Sequence, residues 1–396
     1  MILKNNNIYK NFYVVIVLFL LLFDLAIPPF GVFGSAWLAI LLLSPKFIML
    51  DDKFYIFKKY KSIIFLYLIG FFYVVLIITV NGATDISYIF SFLKSSVVMV
   101  ASLIFLSVYR QENIAKLLVV AFFINSLICL LVGTFGEKIL PYILYFKHSG
   151  DEMVDYIVYR VSSLSGSGYF GISAPYSLCV AFLGYYLSFS KSNKIFLLFV
   201  FISISLAAVL SGRTGFVGVF LALLFILYYK PKMLIPVSFV VIGGGVFLLN
   251  SEFMDSYRDW LFEFFIDSSG NISSDNNPLS FLNKMSFIPD ASTLIFGDGQ
   301  YVTADGHYYG RTDLGYMRFL LFGGIPFTII SILLVIILSK ISNDLSYFFV
   351  VGVACFILHL KGVVLFNNAA VTSFIILISH NFEFIRKQSP SGKSIS

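Results

Sequence analysis

The chain has 396 residues, of which 59% are hydrophobic and only 12% are charged, and its mean hydropathy is +0.92. This composition excludes a water-soluble globular protein and indicates a polytopic membrane protein. The net charge of +6 does not indicate a nucleic-acid partner, because most basic residues lie in short segments between apolar runs, where they set membrane topology.

Apolar runs long enough to cross a bilayer as helices recur along the whole chain. Unpaired backbone groups cost several kcal/mol each in lipid, so helix is expected throughout. We therefore predict an all-α integral membrane protein with about twelve transmembrane helices. The expected spans are 11–28, 30–49, 62–80, 86–109, 114–134, 170–190, 195–211, 214–229, 233–250, 313–339, 343–358 and 362–382.

The basic residues predict the orientation of these spans. When the N-terminus is placed in the cytoplasm, most of the 27 Lys and Arg residues fall on the cytoplasmic side, as the positive-inside rule requires, and the C-terminus is cytoplasmic as well. Two long hydrophilic segments, 135–169 and 251–312, then face outward. The second segment has an amphipathic pattern near 252–267 that predicts a helix at the membrane surface.

The cytoplasmic loops are too short to form a soluble nucleotide-binding domain, so any chemistry must use a substrate that is already activated. On the outside, a lipid-linked donor such as a polyprenyl diphosphate meets this requirement. Its leaving group is an anion, and arginine side chains are the expected ligands. The sequence has no HExxH, no CxxC and no outward Asp-x-Asp spacing, so neither a metal ion nor another cofactor is expected.

Four arginines on the outer side are candidate ligands for such an anion. Arg311 and Arg318 are seven residues apart and would share one face of a helix that begins near Thr312. A charge as deep as Arg318 is costly and usually functional, although interfacial arginines also reach lipid headgroups. Arg160 and Arg213 lie close to span ends, and for each of them anion binding and headgroup anchoring both stay open.

Three further groups of residues are candidates on the outer side or within the spans. His307 could accept a proton from a sugar hydroxyl, or it is a solvated loop histidine. Tyr301, Tyr308 and Tyr309 are expected to stack on sugars. Asp24 and Lys94 fall inside predicted spans, so each is expected to face protein or water.

Three segments together resemble a known family. They are Arg160 to Gly171 with ten residues between them, the turn 211–215 with the sequence Ser-Gly-Arg-Thr-Gly, and the segment 312–325 that enters the membrane. The combination resembles the Wzy-type O-antigen and capsule repeat-unit polymerases, within the superfamily that includes O-antigen ligases. Arg311 and Gly323 are separated by eleven residues, so the second outer segment departs from the ten-residue spacing.

The resemblance implies a fold similar to C-type glycosyltransferases and metal-independent, inverting transfer of undecaprenyl diphosphate-linked glycans. The reaction is expected on the external face of the bacterial cytoplasmic (inner) membrane, with membrane lipids and a chain-length regulator as further partners. On this hypothesis His307 and Arg318 are catalytic, and Arg160, Arg213 and Arg311 bind the diphosphate.

Three alternatives stay open on the sequence. An O-antigen ligase would use the same donor with a lipid A-core acceptor, and a sugar O-acyltransferase would need an acyl donor from the cytoplasm. A lipid-linked oligosaccharide flippase would also have about twelve spans, but it would spread its polar residues around the midplane. Here the polar residues are concentrated in the two predicted outer segments.

Overall fold

The computed structural model describes residues 2–27, 34–110, 112, 114–148, 158–189, 194–249 and 285–387. These residues are all-helical and contain no strand, only an isolated bridge between Val302 and Tyr308. The amphipathic helix predicted at 252–267 lies outside the described residues. The described part therefore confirms the all-α class.

The described part of the chain contains the following helices. In chain order they are α1 (Ile2–Phe23), α2 (Gly34–Ile48), α3 (Tyr55–Lys59), α4 (Lys61–Val80), α5 (Ser87–Val108), α6 (Ala115–Thr134), α7 (Gly136–Leu144), α8 (Phe170–Phe189), α9 (Lys194–Ser211), α10 (Gly215–Tyr229), α11 (Leu234–Leu249), α12 (Ala291–Phe296), α13 (Gly315–Ser342), α14 (Leu345–Lys361) and α15 (Ala369–Lys387). Within α14, the stretch Phe348–Gly352 is π-helical.

Six of these helices, α4, α5, α6, α8, α9 and α13, are long and apolar enough to cross a membrane. Further apolar helices of 10 to 17 residues are α2, α10, α14 and the apolar parts of α1 and α15. A helix lies over each predicted span, and the apolar helices indicate a membrane-embedded protein. The count of twelve spans stays a prediction.

The centre of the bundle is α8. In its most apolar stretch, 89% of the residues are buried, as expected for a helix that is hydrophobic on all sides. Helices α9, α10 and α15 all contact it. The first turn of α8 consequently lies among several other helices at one end of the bundle.

The long helix α13 is broken at two consecutive glycines. Gly324 has φ 66° and ψ −166°, a conformation that only glycine adopts readily, and Gly323 is also non-helical. Pro326 has no N–H, so it could not donate to the carbonyl of Phe322 in any case. The sequence thus interrupts the helix within a predicted span.

The segment after α12 satisfies the carbonyl groups that the break exposes. The N–H of Asp298 donates to the Leu321 carbonyl, and the N–H of Gly299 donates to the Phe322 carbonyl, both at 2.8 Å. Non-helical backbone at membrane depth is stable only where protein or water completes its hydrogen bonds. The break therefore ties the end of the second hydrophilic segment to the middle of α13.

Substitution of Gly324 by alanine is expected to destabilise the protein by about 1–3 kcal/mol or more. The new Cβ would lie 2.5 Å from the Ile295 carbonyl oxygen, in a backbone conformation that alanine does not favour. Thermal unfolding of the purified protein in detergent measures the effect. Gly243→Ala is the control, because a Cβ there meets nothing within 4 Å, and equal midpoints for the two variants would contradict the prediction.

Candidate anion-binding site

Arg318 lies in the first half of α13, about one turn before the break. Its side chain is only 7% exposed, and its guanidinium carbon lies 4.2 Å from the ring centre of Tyr301 and 3.4 Å from that of Tyr308. No carboxylate of the described residues pairs with it, and its buried Nε has no hydrogen-bond partner there. Aromatic faces stabilise the charge only partly, so Arg318 can still bind an anion.

Tyr301 is held rigidly beside Arg318. Its backbone N–H donates to Oδ2 of Asp85 at 3.0 Å, the N–H of Val302 donates to the same oxygen at 2.7 Å, and the amide of Asn367 donates to the Tyr301 hydroxyl at 3.2 Å. Burial alone would raise the pKa of Asp85, but hydrogen bonds from Ser87 and these N–H groups outweigh burial and lower it. Asp85 is therefore ionised at neutral pH and anchors this segment.

The environment of Tyr301 corrects the expectation that its ring stacks on a sugar. The ring is 6% exposed, and its centre lies 4.3 Å from that of Tyr88. Arg318 covers Tyr301 as well, so the ring has no face left for a sugar. In the described structure the Tyr301 ring contacts a cation instead.

Tyr308 belongs to a short hairpin that also carries His307. The bridge between Val302 and Tyr308 closes the hairpin, and the N–H of Thr303 donates to the carbonyl of His307 at 2.8 Å. The His307 side chain is exposed. The predicted base therefore lies next to the tyrosine that covers Arg318, on the solvent side of the site.

Arg311 does not share a helical face with Arg318, so that prediction was wrong. The helix begins at Gly315 rather than near Thr312, and Arg311 is an exposed residue in a preceding 3-10 turn with φ 49°. The hydroxyl of Thr312 accepts from the N–H of Leu314 at 3.2 Å. This local hydrogen bond lies outside the helix and precedes its first turn.

Arg160 and Arg213 both border the first turn of α8. The guanidinium of Arg160 lies 4.4 Å from the ring centre of Tyr169, which immediately precedes α8, and the Tyr169 N–H donates to the Arg160 carbonyl at 2.9 Å. Arg213 lies in the turn between α9 and α10. The carbonyl of its neighbour Gly212 accepts from the Ser173 hydroxyl, in the first turn of α8, at 3.1 Å.

The connection between α14 and α15 links Arg318 to the same turn. Asn368 donates to the carbonyl of Gly171 in α8 at 2.8 Å, and its neighbour Asn367 donates to Tyr301, which contacts Arg318. The arginines connected in this way to the start of α8 are Arg160, Arg213 and Arg318. Outside this group, His307 lies in the exposed hairpin and Arg311 in the exposed 3-10 turn that follows it.

The charged residues predicted inside spans form a separate cluster. Lys94 of α5 pairs with Asp24, which follows α1, with Nζ and Oδ2 2.6 Å apart. His148 Nε2 lies 3.2 Å from the same carboxylate oxygen and 2.9 Å from Lys94 Nζ. The expectation that Asp24 and Lys94 face protein is confirmed, whereas the position of His148 beside them was not predicted.

The described residues thus form a helical, membrane-embedded protein in which the buried Arg318 and the half-buried Arg160 and Arg213 are linked by contacts to the start of α8. Among them, no three potential metal ligands lie together. No protein-family model, curated protein or solved structure matches the chain. The function is therefore argued from the residues of the site.

Proposed function

We propose that the chain is a glycan polymerase of the bacterial cytoplasmic membrane. It would transfer a growing glycan from undecaprenyl diphosphate to a new lipid-linked repeat unit on the external face. The observation that carries this proposal is Arg318, a buried cation that no described carboxylate neutralises. A buried charge without a counter-ion is costly, and a bound diphosphate would supply the missing negative charge.

Two further arginines support a ligand with more than one negative charge. Arg160 and Arg213 border the same turn of α8 to which Arg318 is connected. Guanidinium groups bind phosphate oxygens in a bidentate fashion and keep their charge at all physiological pH values. A diphosphate on a membrane lipid presents several such oxygens at membrane depth.

The proposed reaction is a direct displacement at the anomeric carbon. A hydroxyl oxygen of the acceptor sugar forms the new bond to this carbon as the bond to the diphosphate oxygen breaks, which inverts the configuration. The diphosphate leaves with the bonding electron pair, and the hydroxyl proton passes to a base, for which His307 is the candidate. Arginines at the leaving group would each contribute roughly 3–4 kcal/mol in the transition state, with Arg311 as an outer ligand.

The test is polymerisation by the purified protein in lipid nanodiscs with a defined lipid-linked repeat unit. We expect a ladder of products, with one undecaprenyl diphosphate released for each new linkage, also in the presence of EDTA. No elongation would contradict the proposal. Glycan transfer that requires lipid A-core would identify a ligase, and movement of intact lipid-linked units across the membrane without new bonds would identify a flippase.

A further inference from the structure

His359, in the last turn of α14, is completely buried and has a fixed tautomer. The backbone N–H of Val364 donates to its Nδ1 at 3.1 Å. Nδ1 must therefore be unprotonated, and the neutral ring carries its hydrogen on Nε2. This bond also gives the Val364 N–H its acceptor in the largely buried, non-helical connection 362–368.

The Nε2–H of His359 has no acceptor among the described residues, although it is buried. The ring lies between aromatic side chains, with centre distances of 4.5 Å to Tyr316 and 4.9 Å to Phe319. A buried N–H without an acceptor destabilises the folded protein, because it has lost its hydrogen bond to water. Native proteins rarely leave such a group unsatisfied unless a ligand or water completes it.

Arg318 has the same deficit close by. Its Nε is buried and lacks a partner among the described residues. It precedes Phe319, which packs on the His359 ring, and its charge interacts electrostatically with that ring. Two N–H donors, one of them cationic, are therefore unsatisfied on two helices that contact each other, α13 and α14.

The two donors define the chemistry of the matching ligand. It must accept hydrogen bonds, and it must be negatively charged, because a neutral hydroxyl would leave the Arg318 charge uncompensated. We propose that His359 Nε2–H and Arg318 Nε–H bind the same phosphoryl oxyanion, so that His359 is a further ligand of the site. The identification of this oxyanion with the donor's diphosphate rests on the proposed function.

This assignment separates His359 from His307. Because the only nitrogen of His359 that is not already bonded carries a hydrogen, the ring acts as a hydrogen-bond donor and not as a proton acceptor. The acceptor's proton would then go to another group. The tautomer is set by the backbone of Val364, so the role follows from the fold.

Two substitutions at His359 remove its Nε2 donor and its Nδ1 acceptor one at a time. In His359→Asn the side-chain oxygen takes the place of Nδ1 and can still accept from Val364, but the donor at Nε2 is lost. In His359→Gln the amide nitrogen takes the place of Nε2, but the acceptor for Val364 is lost. Binding of inorganic pyrophosphate to the purified full-length protein is measured by titration calorimetry, together with the thermal unfolding midpoint.

We expect His359→Asn to weaken pyrophosphate binding about ten- to hundred-fold with little change in the midpoint. His359→Gln should bind nearly as tightly as the unaltered protein but unfold at a lower temperature. Equal affinity of His359→Asn and the unaltered protein would overturn the inference, as would no binding of pyrophosphate by the unaltered protein.

A nitrogen-15 spectrum of the labelled histidines gives a second measurement that does not require a variant. Saturation with pyrophosphate should shift the Nε2–H signal of His359, and an unchanged signal under saturation would overturn the inference. Failure of the proposed function looks different: the protein would bind pyrophosphate through His359 and yet never elongate a glycan. Full elongation by a folded His359→Asn variant would contradict the His359 assignment but not the proposed function.

Discussion

Replacing Arg318 with alanine is expected to slow glycan polymerisation about 10²–10³-fold, because a buried donor to the leaving group is lost. Arg318→Lys should also be slow. An ammonium group keeps the charge but lacks the planar face that lies between Tyr301 and Tyr308 and the fork that binds two phosphate oxygens. Initial rates with the purified protein and a defined lipid-linked repeat unit measure both effects.

Arg110→Ala is the matched control. Arg110 also contacts an aromatic ring, that of Tyr55 at 4.9 Å. It lies just after the C-terminal end of α5, however, and its guanidinium is 3.8 Å from the Asp52 carboxylate. Its removal should leave the rate within a factor of a few of the original. The rates are compared per folded protein, because Arg318→Ala also loses the packing on Tyr301 and Tyr308. Equal rates for Arg318→Ala and Arg110→Ala would contradict the role of Arg318.

Replacing Lys94 with methionine is expected to lower the free energy of unfolding by about 3–5 kcal/mol. The substitution leaves the Asp24 carboxylate, whose side chain is 7% exposed, without the ammonium group 2.6 Å away. The double variant Lys94→Met with Asp24→Leu should recover most of the loss, because no charge then stays buried. Chemical unfolding of the purified protein in detergent measures all three proteins.

Lys10→Met is the control for this pair. Lys10 and Glu112 are also 2.6 Å apart, but their side chains are 48% and 31% exposed. Exposed ion pairs contribute only about 0–1 kcal/mol, because water and salt screen them. A loss in Lys94→Met no larger than that in Lys10→Met would show that the buried pair adds nothing.

The helical class and the positions of the helices could be predicted because lipid allows few other backbone structures. Each apolar run had to be helical to complete its own hydrogen bonds, and the described helices lie over the predicted spans. Arg318 could be singled out for a related reason, since a charge inside an apolar run is costly. These inferences need only local sequence.

Helix α13 begins at Gly315, close to the start expected from the sequence, but its break was not predicted, although a local signal for the break was present. Gly323 and Gly324 lower the helical propensity, and Pro326 lacks the backbone N–H that a helix would use as a donor. In the structure the helix is broken at these glycines. The left-handed conformation of Arg311 had no such signal. Consequently the seven-residue spacing to Arg318 carried no geometric meaning.

The sequence by itself determined that this protein is helical, lies in a membrane and carries a few charges that lipid cannot tolerate, because the cost of unpaired polar groups acts residue by residue. Only the tertiary structure decided which groups meet. It set Arg318 between Tyr301 and Tyr308, paired Lys94 with Asp24, and left the Nε2–H of His359 unsatisfied. Those contacts join residues far apart in the chain, and helix packing, which local sequence does not specify, brings them together.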